Sequence, residues 1–103
     1  MAYTCRPLER KHLKNPISVR HAAQDLSFEE AKELATELAR QKVSEPMLLA
    51  WFDKKRGKFS PQVECCDTEK PSWLVYAESR GGNIVIDIND QDYVFVFCTV
   101  GKL

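Results

Sequence analysis

The chain has no apolar run long enough to cross a membrane. Its longest, MLLAWF at 47–52, falls far short of the roughly 20 residues a spanning helix needs. The N-terminal charges are not followed by the apolar segment and small-residue cleavage site of an export signal. The expected compartment is therefore the cytoplasm, where thiols stay reduced, and the four cysteines do not imply a disulfide framework. An excess of one charge is also missing, since 15 Lys and Arg balance 15 Asp and Glu. A neutral chain gives no global reason to expect nucleic acid or a membrane as partner. Catalytic and cofactor fingerprints are absent too: there is no G-x-S-x-G, no H-E-x-x-H and no dinucleotide-binding glycine motif. No two cysteines have the C-x₂₋₄-C spacing of a structural zinc site, and both histidines, His12 and His21, lie near the N-terminus. These absences argue for no catalytic residues, no metal and no cofactor.

What is present is an ordinary globular composition. The 103 residues are 44% hydrophobic and 29% charged, which fits one domain with one modest core. Residues 1–26 form a basic arm without clear periodicity, interrupted by Pro7 and Pro16. Within it, over residues 1–21, Arg6, Arg10, Lys11, Lys14 and Arg20 stand against Glu9 alone, a local charge of +4 that the rest of the chain cancels. Ile17–Ser18–Val19 is a candidate edge strand. The main domain is assigned to 27–103.

The spacing predicts a helix over 28–43. Ser27 with Glu30 has the capping-box pattern, and Ala31, Leu34, Ala35, Leu38 and Ala39 form one apolar stripe. After Pro46 the period changes, and MLLAWFD reads as a strand with both faces covered. A turn at Gly57 follows, and then a short partner strand over 58–63, which Pro61 would confine to an edge. Three further strands are expected at 72–80, 83–88 and 93–98, joined by Gly81–Gly82 and by NDQD at 89–92. The second turn pairs Ile88 with Tyr93 and Ile86 with Phe95. The expected fold is a two-layer α+β domain, one main helix on an antiparallel sheet of four or so strands.

Opposed residues share a face. Trp73, Val75, Ala77, Ile84, Ile86, Ile88, Tyr93, Phe95 and Phe97 would lie beneath the helix. Leu74, Tyr76, Glu78, Val85, Asp87, Val94, Val96 and Cys98 would lie on the outer face. Leu74, Val85, Val94 and Val96 would then make an apolar patch needing a cover. The covers expected are the chain's own arm, its 54–71 connection, or a second copy in a two-fold homodimer. Tyr76, Glu78 and Asp87 would make a polar strip on that face, able to do acid–base work or bind a cation, or simply solvated.

The adjacent pair Cys65–Cys66 is the most unusual local feature. Neighbouring cysteines rarely bridge each other, because the ring is strained, and in an extended loop they point apart. Two thiolates suit soft metals, with His12, His21, Cys5 or Cys98 available to complete a site only through the fold. Glu64 and Asp67 disfavour the thiolate, whereas Lys70 and the Lys54–Lys55–Arg56 turn would favour it if close. The RGG at 80–82 reads as a turn, and the basic–aromatic mixture at 51–59 is a weak signal for nucleic acid.

The pieces LLAWFD, SPQVECC and YAESRGGNIVIDIND resemble a family of short archaeal and bacterial proteins carried as a domain of unknown function, over about residues 27–97. The resemblance implies a small α+β protein with no assigned activity, and it transfers no catalytic residue. The leading expectation is thus a small cytoplasmic binding or assembly module. The alternative is a thiol-based redox or soft-metal-handling protein using Cys65 and Cys66.

Overall fold

A computed structural model describes residue 8 and residues 12–21, 26–61 and 71–99. Helix α1 spans Phe28–Arg40 and begins as its capping box requires. The Ser27 hydroxyl accepts from the Glu30 N–H at 3.1 Å, and the Glu30 carboxylate accepts from the Ser27 N–H at 3.0 Å. The helix ends three residues short of the expected 43. Ala31, Ala35 and Ala39 are fully buried. Their small side chains let α1 lie close to the sheet, while Leu34 and Leu38 pack at the flanks.

Five strands follow one another across the sheet in the order β1-β4-β5-β2-β3. They are β1 (Ile17–Val19), β2 (Pro46–Asp53), β3 (Lys58–Ser60), β4 (Ile84–Ile88) and β5 (Tyr93–Thr99). The β4–β5 register follows the tight turn as expected, with Ile88 opposite Tyr93 and Ile86 opposite Phe95. Strand β2 pairs antiparallel with both β5 and β3. Its register shifts between Leu48 and Ala50. Leu49 and Ala50 consequently both pack on one face, while Leu48 and Trp51 pack on the other. The expectation of a purely antiparallel sheet is corrected at one edge. Ile17–Val19 is indeed an edge strand, but it pairs parallel to β4, with Ile17 beside Ile86. The arm and the strand are far apart in sequence, so only the tertiary arrangement sets this direction.

A larger correction concerns residues 72–80. They form no strand. Ser72–Ser79 is a second helix, α2, on the face opposite α1, and the sheet is covered on both sides. Gly81–Gly82 closes that helix instead of turning a hairpin. The Gly81 N–H donates to the Glu78 carbonyl at 3.2 Å and the Gly82 N–H to the Ala77 carbonyl at 2.8 Å. These are the two bonds of a Schellman cap, with Gly81 left-handed at φ +85°. Trp73, Leu74 and Ala77 form the buried stripe of α2, at helical spacing. They therefore pack together, where strand alternation would have separated Leu74 from the other two.

Two cores result. Ile84, Ile86, Ile88, Tyr93, Phe95 and Phe97 pack beneath α1, joined by Phe28, whose ring lies 4.6 Å from Trp51 and 5.6 Å from Phe95. Ala50, Val85, Val94 and Val96 pack beneath α2 with Leu13, and Phe52 stacks on Trp73 at 5.5 Å. The outer face, expected to need a cover from the arm, the 54–71 connection or a second copy, is covered by α2 of the same chain. Leu74, Val85, Val94 and Val96 are only 1%, 6%, 0% and 0% exposed. A homodimer through these four side chains would require α2 to lift away.

Candidate functional site

The polar strip expected from Tyr76, Glu78 and Asp87 is taken apart by the same helix. Tyr76 and Glu78 ride on α2, and Asp87 is in β4. The Arg80 guanidinium sits over the Tyr76 ring, 4.9 Å from its centre. Asp87 is 2% exposed and serves the β4–β5 turn. Its carboxylate accepts from the Gln91 N–H at 2.6 Å and from the Gln91 side-chain amide. Asn89, Asp90 and Gln91 all hold left-handed backbone there, with φ of 52°, 55° and 67°. Such a run costs conformational energy in residues other than glycine, and the buried carboxylate offsets it. Asp53 acts similarly in the β2–β3 turn, accepting from the Arg56 N–H at 3.2 Å with the Arg56 guanidinium 3.9 Å away. Each buried acid is committed to a turn.

The remaining candidates disperse. Cys65 and Cys66 lie outside the described residues. Cys98 is a buried free thiol at the end of β5, and His12 is buried beside Leu13. Among the described residues, no group of three or more His, Cys, Asp and Glu could hold a metal ion. No helix of the described residues is long and apolar enough to cross a membrane. The aromatics near the basic turn point inward, Phe52 onto Trp73 and Trp51 onto Phe28. Tyr93 donates its hydroxyl to the Leu26 carbonyl at 2.8 Å. Burial, and then the Asp53 charge, push its ionisation above the ordinary 10.0. Glu30 ionises below the ordinary 4.5 because the Ser27 backbone and side chain hydrogen-bond its carboxylate.

One concavity brings several sequence-predicted residues together. It is a cleft of about 240 Å³ between the C-terminal half of α2 and the segment before β1, and the β4–β5 pair lies beneath it. Leu74, Val85 and Val96, three of the four residues of the expected patch, supply its apolar lining. Glu78 from the expected strip, Lys14, Asn15 and Asn83 supply polar groups. Gly82 also lines it, and a Cβ there would stand 2.7 Å from Val96 Cγ1 and 2.8 Å from the Ala77 carbonyl oxygen. Glycine there lets the chain pass under the end of α2 and into β4. Asn15 and Asn83 were not singled out from the sequence, Lys14 entered only as a charge of the basic arm, and Gly82 only as a turn residue. The available signals were the Asn-Pro step at 15–16, which marks a turn, and a double glycine after a short apolar run, which also suits a helix C-terminus.

The architecture is an open, five-stranded mixed sheet with a helix on each face, carrying a small amphipathic cleft at the end of the shorter helix. The chain belongs to the family described as a domain of unknown function, DUF5619, whose model matches residues 14–97. An uncharacterised protein of Archaeoglobus fulgidus is 41% identical over 71 residues, covering 69% of this chain and 75% of that protein. A crystal structure of an A. fulgidus protein described as novel matches with a TM-score of 0.71 at 32% identity. It covers 87% of this chain and 100% of that one. The family match takes in the segment from Lys14, the edge strand β1 and the described residues of the cleft.

Proposed function

We propose that this protein is a small cytoplasmic binding module without catalysis of its own, and that the cleft at the end of α2 is where it binds. The observation that carries the reading is the cleft's composition. Among the described residues, aliphatic side chains line a concavity that also carries one cation, one anion and two carboxamides. That is the usual build of a ligand site, apolar contact for affinity and a few polar groups for orientation. Among the described residues, the lining contains no histidine, cysteine or hydroxyl side chain.

The test is a fragment screen by heteronuclear NMR on the full chain. Binding should move the amide resonances of Asn15, Gly82, Asn83 and Val85 together. Fragments that bind only elsewhere, or none that bind, would refute the cleft as the site. The rival, thiol chemistry at Cys65 and Cys66, rests on the sequence alone. Native mass spectrometry after anaerobic purification would favour it over the cleft if a stoichiometric metal vanished in Cys65→Ser/Cys66→Ser.

A further inference from the structure

The run of left-handed residues at 89–91 does more than join β4 to β5. We infer that residues 14–21 form a strap along the edge of β4, clasped at its far end by this turn, and that releasing the clasp re-aims the wall of the cleft that Lys14 and Asn15 supply. The strap stands on its own bonds. Its use as a gate for a ligand rests on the binding reading above.

The strap is held firmly at one end and lightly at the other. At the near end His12 and Leu13 are buried, and Leu13 packs in the core beneath α2. Asn15 then turns the chain, with φ of 47°, and Pro16 leads into β1. Strand β1 has three residues and, among the described residues, pairs with β4 alone. Ser18 is exposed, and Ile17 and Val19 are half-buried. The clasp lies at its end. The Asn89 N–H donates to the Val19 carbonyl at 2.8 Å, and the Asn89 side-chain carbonyl accepts from the His21 N–H at 2.7 Å. The Arg20 guanidinium donates to the Asp90 carboxylate at 2.6 Å. Both side chains of that pair are exposed, 77% and 62%, so water competes for it and salt screens it. Asn89 and Asp90 reach β1 from left-handed backbone, which the buried Asp87 carboxylate holds in place through Gln91. A short edge strand with few buried contacts opens more easily than the core. Once unclasped, it pivots where the firm end stops, at 14–15, and asparagine tolerates both hands of helical backbone. The pivot residues line the cleft, so the motion reshapes it.

Native-state hydrogen exchange in low urea tests the strap on the full chain. The amides of His21 and Asn89 should exchange together, at least about ten-fold faster than the slowest amides of α1 and β5, and with a weaker urea dependence, as a local opening requires. Arg20→Ala and Asp90→Asn should each speed them roughly two- to five-fold, the range of an exposed ion pair. Asn89→Gly keeps a residue suited to left-handed backbone but removes the side-chain acceptor, and should speed the protected amides of β1 by about ten-fold. The gate is read by Val85→Cys, its thiol followed on its own peptide during alkylation with iodoacetamide. Alkylation should track the strap amides in rate and in weak urea dependence. Val96→Cys gives the same readout if Val85→Cys does not fold. Strap amides that exchange only at the rate and urea slope of β5 would overturn the strap. Rates unmoved by all three clasp variants would overturn the clasp. A cleft thiol that reacts only with the steep urea slope of global unfolding would overturn the gate. Silence in the fragment screen refutes the cleft as a binding site and alters none of these rates.

Discussion

The two faces of the sheet are covered by helices of opposite kind. Helix α1 is 13 residues long, charged outside and alanine-rich inside, and it starts from a complete capping box. Helix α2 has eight residues, apolar on most sides, with no side-chain cap at its start and a glycine cap at its end. Beneath α1 the sheet presents large side chains, Ile86, Ile88, Phe95 and Phe97, because the alanines leave them space. Beneath α2 it presents smaller ones, Val85, Val94, Val96 and Ala50, because Trp73 and Leu74 bring the bulk. The two interfaces divide volume in opposite ways. A close-packed interior requires such complementarity wherever a helix and a sheet meet. The cleft opens on the α2 side, where the shorter helix ends above the sheet.

The largest effect should come from a charge placed under α2. Val96→Arg should unfold the protein or cost more than about 4–5 kcal/mol, since it buries an unpaired guanidinium at a fully buried site. Chemical denaturation measures this. A folded variant with an unchanged midpoint would mean that the α2 face is open.

Next come matched truncations on the two faces. Ile86→Ala beneath α1 and Leu74→Ala within α2 should each cost about 2–5 kcal/mol, because both side chains are fully buried or nearly so. If Leu74→Ala costs less than about 0.5 kcal/mol, a surface-like value, α2 is not part of the core.

The two glycines after α2 sharpen the picture further. Gly82→Ala should cost about 1–3 kcal/mol as an overpacking change against Val96 and the Ala77 carbonyl. Gly81→Ala meets open space and should cost about 1 kcal/mol, for its left-handed backbone alone. Equal urea midpoints for the two variants would deny the close approach at Gly82.

The smallest effects belong to the start of α1. Ser27→Ala should cost about 0.5–2 kcal/mol. Glu30 is lowered in the folded state, so its contribution is present above the ordinary 4.5 and fades as pH falls through the lower folded value. Ser27→Ala should therefore flatten the acid limb of a stability–pH curve. Tyr93 is raised, so its contribution is complete below the ordinary 10.0 and lost as pH climbs through its higher folded value. An acid limb unchanged by Ser27→Ala would place the Glu30 effect elsewhere.

Much of the α1 side was legible in the chain. A helix with one wet face displays its period, its cap residues are specific, and a tight turn sets the register of β4 against β5. The α2 side was not. Trp73 to Ala77 is a run of apolar residues, many of them strand-favouring, and five positions do not separate a period of two from one of 3.6 when nearly all are apolar. Gly81–Gly82 supports a hairpin or a helix cap equally well, and the choice depends on what lies above Val85, Val94 and Val96. The polar strip failed for the same reason, because it inherited a strand that does not exist.

By itself, then, the sequence determined that this is a small α+β domain, where α1 begins, and which residues of β4 and β5 face each other. These are local matters of spacing, capping and turn chemistry. Only the tertiary structure decided that β1 joins the sheet in parallel, that the second face receives a helix, and that Lys14 and Asn15 meet Glu78 and Asn83 around one cleft. Such pairings join segments some 60 residues apart, where no local propensity acts. They are selected by the burial of the two apolar sheet faces together.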